Sequence, residues 1–155
     1  MFTIKVFIEN EGRSNRKNIY NEKTLEYLES TTVTGEYPYP YGFILNTTGG
    51  DGDNVDCFVL TDKPLKSGQL VECEPVALME QTESSWENPD EQEEDHTVLA
   101  ALIGEAAVID EVFKASMREF VLHIFDHIPG KKTTVGEFWG KEEAIRYINK
   151  CRDKS

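Results

Sequence analysis

Apolar and polar positions alternate along residues 3–9 (TIKVFIE), the pattern of a strand with Ile4, Val6 or Phe7, and Ile8 turned inward. Residues 10–18 (NEGRSNRKN) are polar and predict a loop, and 19–29, with Leu25, Tyr27 and Leu28, suit a short hairpin better than a helix. Pro38 and Pro40 hold their predecessors extended and cannot donate ladder bonds, so 37–41 read as an irregular extended entry to a strand at 43–46. Residues 47–52 are turn chemistry, with Gly49, Gly50 and Gly52 free to take positive φ. The strand predicted at 55–60 puts Val55, Cys57 and Val59 on one face, and Asp56, Phe58 and Leu60 on the other.

Pro64 breaks the chain before two further predicted strands, 69–73 and 75–79. Residues 80–95 carry eight acids and Pro89 with no apolar period, which predicts a long exposed loop. Residues 97–103 (TVLAALI) are apolar throughout and short enough for a buried strand. From 109 to 127 apolar residues recur at three- and four-residue steps through Ile109, Val112, Phe113, Met117, Phe120, Val121 and Ile124, the clearest helix in the chain, ended by Pro129-Gly130. Residues 133–139 read as a loop or short strand, and 141–149 as a second helix with Ala144, Ile145 and Ile148 inward. Short strands followed by two helices predict an α+β fold built on a small barrel or curled sheet.

A chain of 155 residues fits a single domain spanning 1–155. No apolar run approaches the ~18 residues of a membrane span, and the first residues lack the basic-then-apolar layout of a signal peptide, so a cytoplasmic protein without a membrane partner is expected. Cys57, Cys73 and Cys151 show no CxxC pairing or zinc-ligand spacing and are expected as reduced thiols. The formal charge of −13 excludes a nucleic-acid partner, which requires clustered Lys and Arg. The excess is local. Between Lys66 and Lys114 there are thirteen acids and no Lys or Arg, so the rest of the chain sums to zero.

Local acidity draws attention to Asp51, Asp53 and Asp56, three carboxylates within six residues. Two unit charges ~4 Å apart repel by ~4 kcal/mol at an effective dielectric of about 20, and a hard divalent cation such as magnesium, manganese or calcium relieves that repulsion. The alternative is a turn whose aspartates bond nearby amides or face water. An EF-hand does not fit, because the third ligand position is Val55 and Asp56 replaces the turn glycine. A second acidic pair, Asp90 and Asp95, could fold over the first cluster, and two metals held between them would activate water and clamp phosphate oxygens.

The segments YPYPYGFI (37–44) and DGDNVDCFVLT (51–61) together resemble the signature of the soluble family I inorganic pyrophosphatases. The resemblance extends to VFIE (6–9), EPVAL (74–78), DEQEEDHTVLAAL (90–102), Phe125-Asp126-His127 and Glu143-Ala144, most of the chain in the right order. It implies a small closed OB-like β-barrel of short strands with two C-terminal helices packed against it. It implies magnesium-dependent hydrolysis of inorganic pyrophosphate, with manganese as a substitute, in a homo-oligomer. By the same resemblance Asp51, Asp56, Asp90 and Asp95 match metal ligands, with Asp56 bridging, and Glu9 an active-site glutamate. Asp53 matches the carboxylate that takes the proton of the attacking water, Tyr41 a phosphate-contacting hydroxyl, and Lys17 a substrate-binding lysine.

The phosphate-facing side departs from the family pattern. Thr97 stands where the family has a lysine, Ile128-Pro129 where it has a Tyr-Lys pair, and Glu29 or Ser30 where it has an arginine. The metal half of the site is therefore expected intact and the anion half remodelled, with Arg13, Arg16, Lys131 or Lys132 as replacement cations. Two alternatives follow: a hydrolase of a different phosphoanhydride or phosphoester, and a metal-binding relative without catalysis.

Overall fold

The computed structural model describes residues 1–50, 52–84, 88 and 91–153. Among them the chain forms nine strands and two helices: β1 (Ile4–Asn10), β2 (Arg16–Tyr20), β3 (Tyr27–Thr32), β4 (Tyr41–Ile44), β5 (Asp56–Val59), β6 (Leu70–Ser84), β7 (Gln92–Glu94), β8 (Thr97–Leu102), α1 (Glu111–His123), β9 (Thr133–Trp139) and α2 (Lys141–Cys151). The predicted α+β class holds. Strands β2 and β3 form a separate hairpin, and the other seven make one mixed sheet.

In that sheet β4 lies antiparallel between β1 and β5, β5 runs parallel to β8, and β8 runs antiparallel to β6. β6 also pairs with β1, and its far end carries β7 and β9. The strands are not all short: β6 spans 15 residues. Pro75 does not divide it as expected, because the register against β8 shifts between Pro75 and Ala77, and such a bulge is where a strand tolerates proline. The basic stretch 10–18 is likewise only partly a loop, since Arg16 and Lys17 already belong to β2. The hairpin is as expected, but its apolar residues are not core: Tyr27 and Leu28 are exposed.

The period-two alternation read from β5 sorts side chains into two cores. Val55, Cys57 and Val59 pack with Val6, Ile8 and Val98 under α2, through Ala144, Tyr147 and Ile148. Phe58 and Leu60 pack with Met79 and Leu99 under α1, through Phe113, Met117 and Val121. α1 is capped by Asp110, whose side chain accepts the Phe113 N–H at 2.8 Å, and Glu111 in its first turn suits the helix dipole. Val112, expected on its inner face, is 79% exposed, because the apolar stripe runs through Phe113, Met117 and Val121 instead. The three cysteines are free and buried, Cys57 and Cys73 in strands as expected and Cys151 at the end of α2. Among the described residues no helix is long and apolar enough to cross a membrane.

Candidate active site

The largest correction to the sequence reading is also where the site begins. Residues 80–95 are not simply an exposed loop. β6 continues to Ser84, β7 pairs back onto it, and Glu83, Ser84 and Asp95 are buried. Ala77 and Met79 belong to the core under α1, and the same alternation carries Gln81 and Glu83 into the cavity. The parallel register of Asp56 with Thr97 places those two side by side, and Tyr41 is the β4 partner of Phe58. Glu9 sits where the β1–β4 register shifts between Ile8 and Asn10, a bulge of the kind that re-aims a side chain.

The turn after β4 is held by Thr47, which is buried, donates its hydroxyl to Ile44 O at 2.7 Å and accepts the Val55 N–H at 2.9 Å. Gly49 N–H donates to Asp53 O at 2.8 Å, and Gly52 takes φ +87°. A Cβ on Gly50 would lie 2.4 Å from Glu94 O, so only glycine lets this turn pack beside the strand leading to Asp95. Asp95 is fixed from the other side, since its N–H donates to Gln81 O at 2.9 Å while Gln81 N–H donates to His96 Nδ1 at 3.0 Å.

These elements converge on a cavity of about 530 Å³. Asp53, Asp56, Asp95, Tyr41 and Lys17 line it, so five of the seven predicted catalytic, substrate and metal residues are brought together, with Glu9 beside them. The other two, Asp51 and Asp90, lie outside the described residues. Among the lining residues that escaped the sequence reading are Glu22 and Gln81. Glu22, in the β2–β3 turn, accepts the Asn54 N–H at 2.9 Å; it is 32 residues away along the chain, and no local spacing signals it. Gln81, whose side-chain oxygen accepts the Thr97 hydroxyl at 3.0 Å, could have been found by extending the alternation of Ala77 and Met79.

The electrostatics are those of crowded carboxylates. Burial pushes Glu9 up to about 7; Lys17 opposes that shift and Asp53 adds to it. Glu22 rises to about 8, first through burial and then through Glu9, Asp53 and Asp56. Burial pulls the Lys17 ammonium down, but the facing Tyr37, Glu9, Asp56 and Glu83 outweigh it and keep the net shift upward. Burial and the nearby Asp56 and Asp95 hold Tyr41 well above the ordinary phenol range, so it remains a hydroxyl donor at neutral pH. Lys17 is the only Lys or Arg among the described lining residues. Behind it lies Lys131, 3.6 Å from buried Glu83 and donating to Ser84 O at 2.7 Å, with the two ammonium groups each 5.9 Å from the Phe125 ring.

All-oxygen donors, with two carboxyls driven toward protonation first by burial and then by nearby carboxylates, suit a hard divalent cation. Among the described residues no group of three or more His, Cys, Asp or Glu side chains makes a metal-holding cluster, and the expected ligands Asp51 and Asp90 lie outside those residues.

The family model described as inorganic pyrophosphatase matches residues 6–155. An inorganic pyrophosphatase of Nanoarchaeum equitans is 32% identical over 161 residues, covering 97% of this chain and 96% of the relative. One of Thermoplasma volcanium is 29% identical, covering 96% and 91%. Among solved structures, the inorganic pyrophosphatase of Helicobacter pylori superposes with a TM-score of 0.83 at 25% identity, covering 96% of this chain and 91% of that one.

Proposed function

The chain belongs to the inorganic pyrophosphatase family, and from that premise we propose that its cavity hydrolyses inorganic pyrophosphate to two phosphates. The observation that carries the assignment of roles is the convergence of Asp53, Asp56, Asp95, Tyr41 and Lys17 on one cavity from four separate stretches of chain. Asp53 takes the proton of the attacking water as that oxygen bonds to one phosphorus. The bridging P–O bond breaks, and its electron pair leaves with the other phosphate. Tyr41 donates a hydrogen bond to a phosphate oxygen, and Lys17 places a positive charge beside the same group. Asp51, Asp56, Asp90 and Asp95 would hold magnesium, or manganese in its place, with Asp56 between two sites. Bound metal supplies neutralisation of phosphate charge and activation of water.

The ring of pairings from β1 through β4, β5, β8 and β6 back to β1 supports reading the sheet as a closed OB-like barrel in a single domain. The three free thiols accord with a cytoplasmic location, and a homo-oligomer is the assembly we propose.

The test is phosphate release from pyrophosphate with magnesium, in the wild type, Asp53→Asn and Asp56→Asn, with circular dichroism confirming that each folds. Loss of the general base is expected to lower kcat by roughly 10²–10⁴. A wild type no faster than both variants refutes the assignment.

A further inference from the structure

Only part of the cavity is built for charge. The same cavity is lined from the end of α1 and the turn that follows it by Phe120, Val121, Ile124, Phe125 and Ile128, joined by Ile19 from β2. Ile19, Phe125 and Ile128 are half-buried, so apolar surface faces the cavity where an anion-binding wall would carry cations. Lys17 stands as the one described lining cation against Glu9, Glu22, Asp53, Asp56, Glu83 and Asp95. A volume of about 530 Å³ falls in the range of ~300–1,000 Å³ that holds drug-sized ligands, well beyond a two-phosphorus anion.

We infer that the site also hydrolyses diphosphate monoesters carrying an apolar organic group, with the two phosphorus atoms against the carboxylates and the organic group against the apolar wall. This rests on the pyrophosphatase reading above. The ester fits the cavity on two counts: fully ionised it carries one negative charge fewer than pyrophosphate toward the carboxylates, and it covers apolar surface that otherwise stays wet. The step balances without a co-reactant. The water oxygen bonds to the terminal phosphorus, and the bridging P–O bond breaks with its electron pair leaving on the phosphate monoester. ROP₂O₆³⁻ and H₂O give ROPO₃²⁻ and H₂PO₄⁻, and Asp53 carries the water proton in transit.

The experiment measures phosphate release, with magnesium, from pyrophosphate, methyl diphosphate and n-pentyl diphosphate. The kcat/KM for the pentyl ester is expected about tenfold above that for the methyl ester, and a ratio of threefold or less overturns the inference. Ile128→Lys is expected to lower kcat/KM for the pentyl ester at least fivefold while raising it for pyrophosphate. Ile19→Asn, on the other side of the wall, serves as the second variant. A pentyl preference unchanged in both also overturns the inference. Pyrophosphate turnover without chain-length discrimination sinks this inference alone; no phosphate release from any of the three substrates refutes the pyrophosphatase reading with it.

Discussion

Removing the metal should leave the fold with an electrostatic load that grows as pH rises, and Glu9 is where it can be weighed. Its carboxyl rises from 4.5 to about 7 in the folded chain, chiefly through burial. The native state therefore holds a proton that the unfolded chain releases near pH 4.5. The stabilisation linked to that proton is fully present below about pH 4.5 and is lost as pH rises through about 7. At ~1.4 kcal/mol per pKa unit the loss is on the order of 3 kcal/mol, and for a domain of this size each kcal/mol moves Tm by ~2–4 °C. Roughly 1.4 kcal/mol of that is already lost at pH 5.5, one unit above the unfolded value, so between pH 5.5 and 8.5 the loss is about 2 kcal/mol. Metal-chelated protein should thus melt roughly 4–8 °C lower at pH 8.5 than at pH 5.5, followed by circular dichroism. Glu22, raised to about 8, acts in the same direction. Glu9→Gln should flatten much of the slope, and magnesium should raise Tm most at the alkaline end, by binding the ionised native site. A metal-free Tm that stays level or rises between those pH values, or a Glu9→Gln variant that keeps the full slope, refutes the reasoning.

Two further predictions concern the frame of the site. In Gly42→Ala the new Cβ would lie 1.8 Å from Phe7 O and 2.8 Å from Phe7 C, both backbone atoms, so β1 and β4 must part by more than ~1 Å. Overpacking and a lost ladder bond together should cost about 2–4 kcal/mol, read as a lower urea midpoint, and an unchanged midpoint would show that the strands yield freely. Lys131→Met removes the ammonium 3.6 Å from Glu83, where the two side chains are 3% and 8% exposed. Breaking such a buried pair costs ~3–5 kcal/mol, toward the lower end here because Lys17 also faces Glu83; chemical denaturation showing a loss below 1 kcal/mol would contradict it.

The central stretch of the site was legible because a single strand carried the information. Alternation through 55–60 put Asp56 and Phe58 on one face and Cys57 on the other, and the structure has them so. What misled were residues whose local chemistry is answered from far away. The run of acids after Met79 reads as solvated loop, yet Glu83 is buried beside Lys131, 48 residues later. Pro75 reads as a break, but a bulge against β8 absorbs it. Glu22 has no signature at all, since its place in the cavity follows from how the β2–β3 hairpin meets Asn54.

The division made by β5 has a consequence for how such a chain can change over generations. One sheet face, with α2, keeps a core that never touches the cavity, while the other face, with α1, is both core and pocket wall. Substitutions on opposite sides of the sheet share few partners, so their energetic effects should be close to additive. The molecule can explore new ligands on one side while its solvency as a fold is underwritten on the other. That separation is a physical reason why the cavity side of the sheet, at Thr97 and Ile128, can be remodelled without disturbing the core under α2.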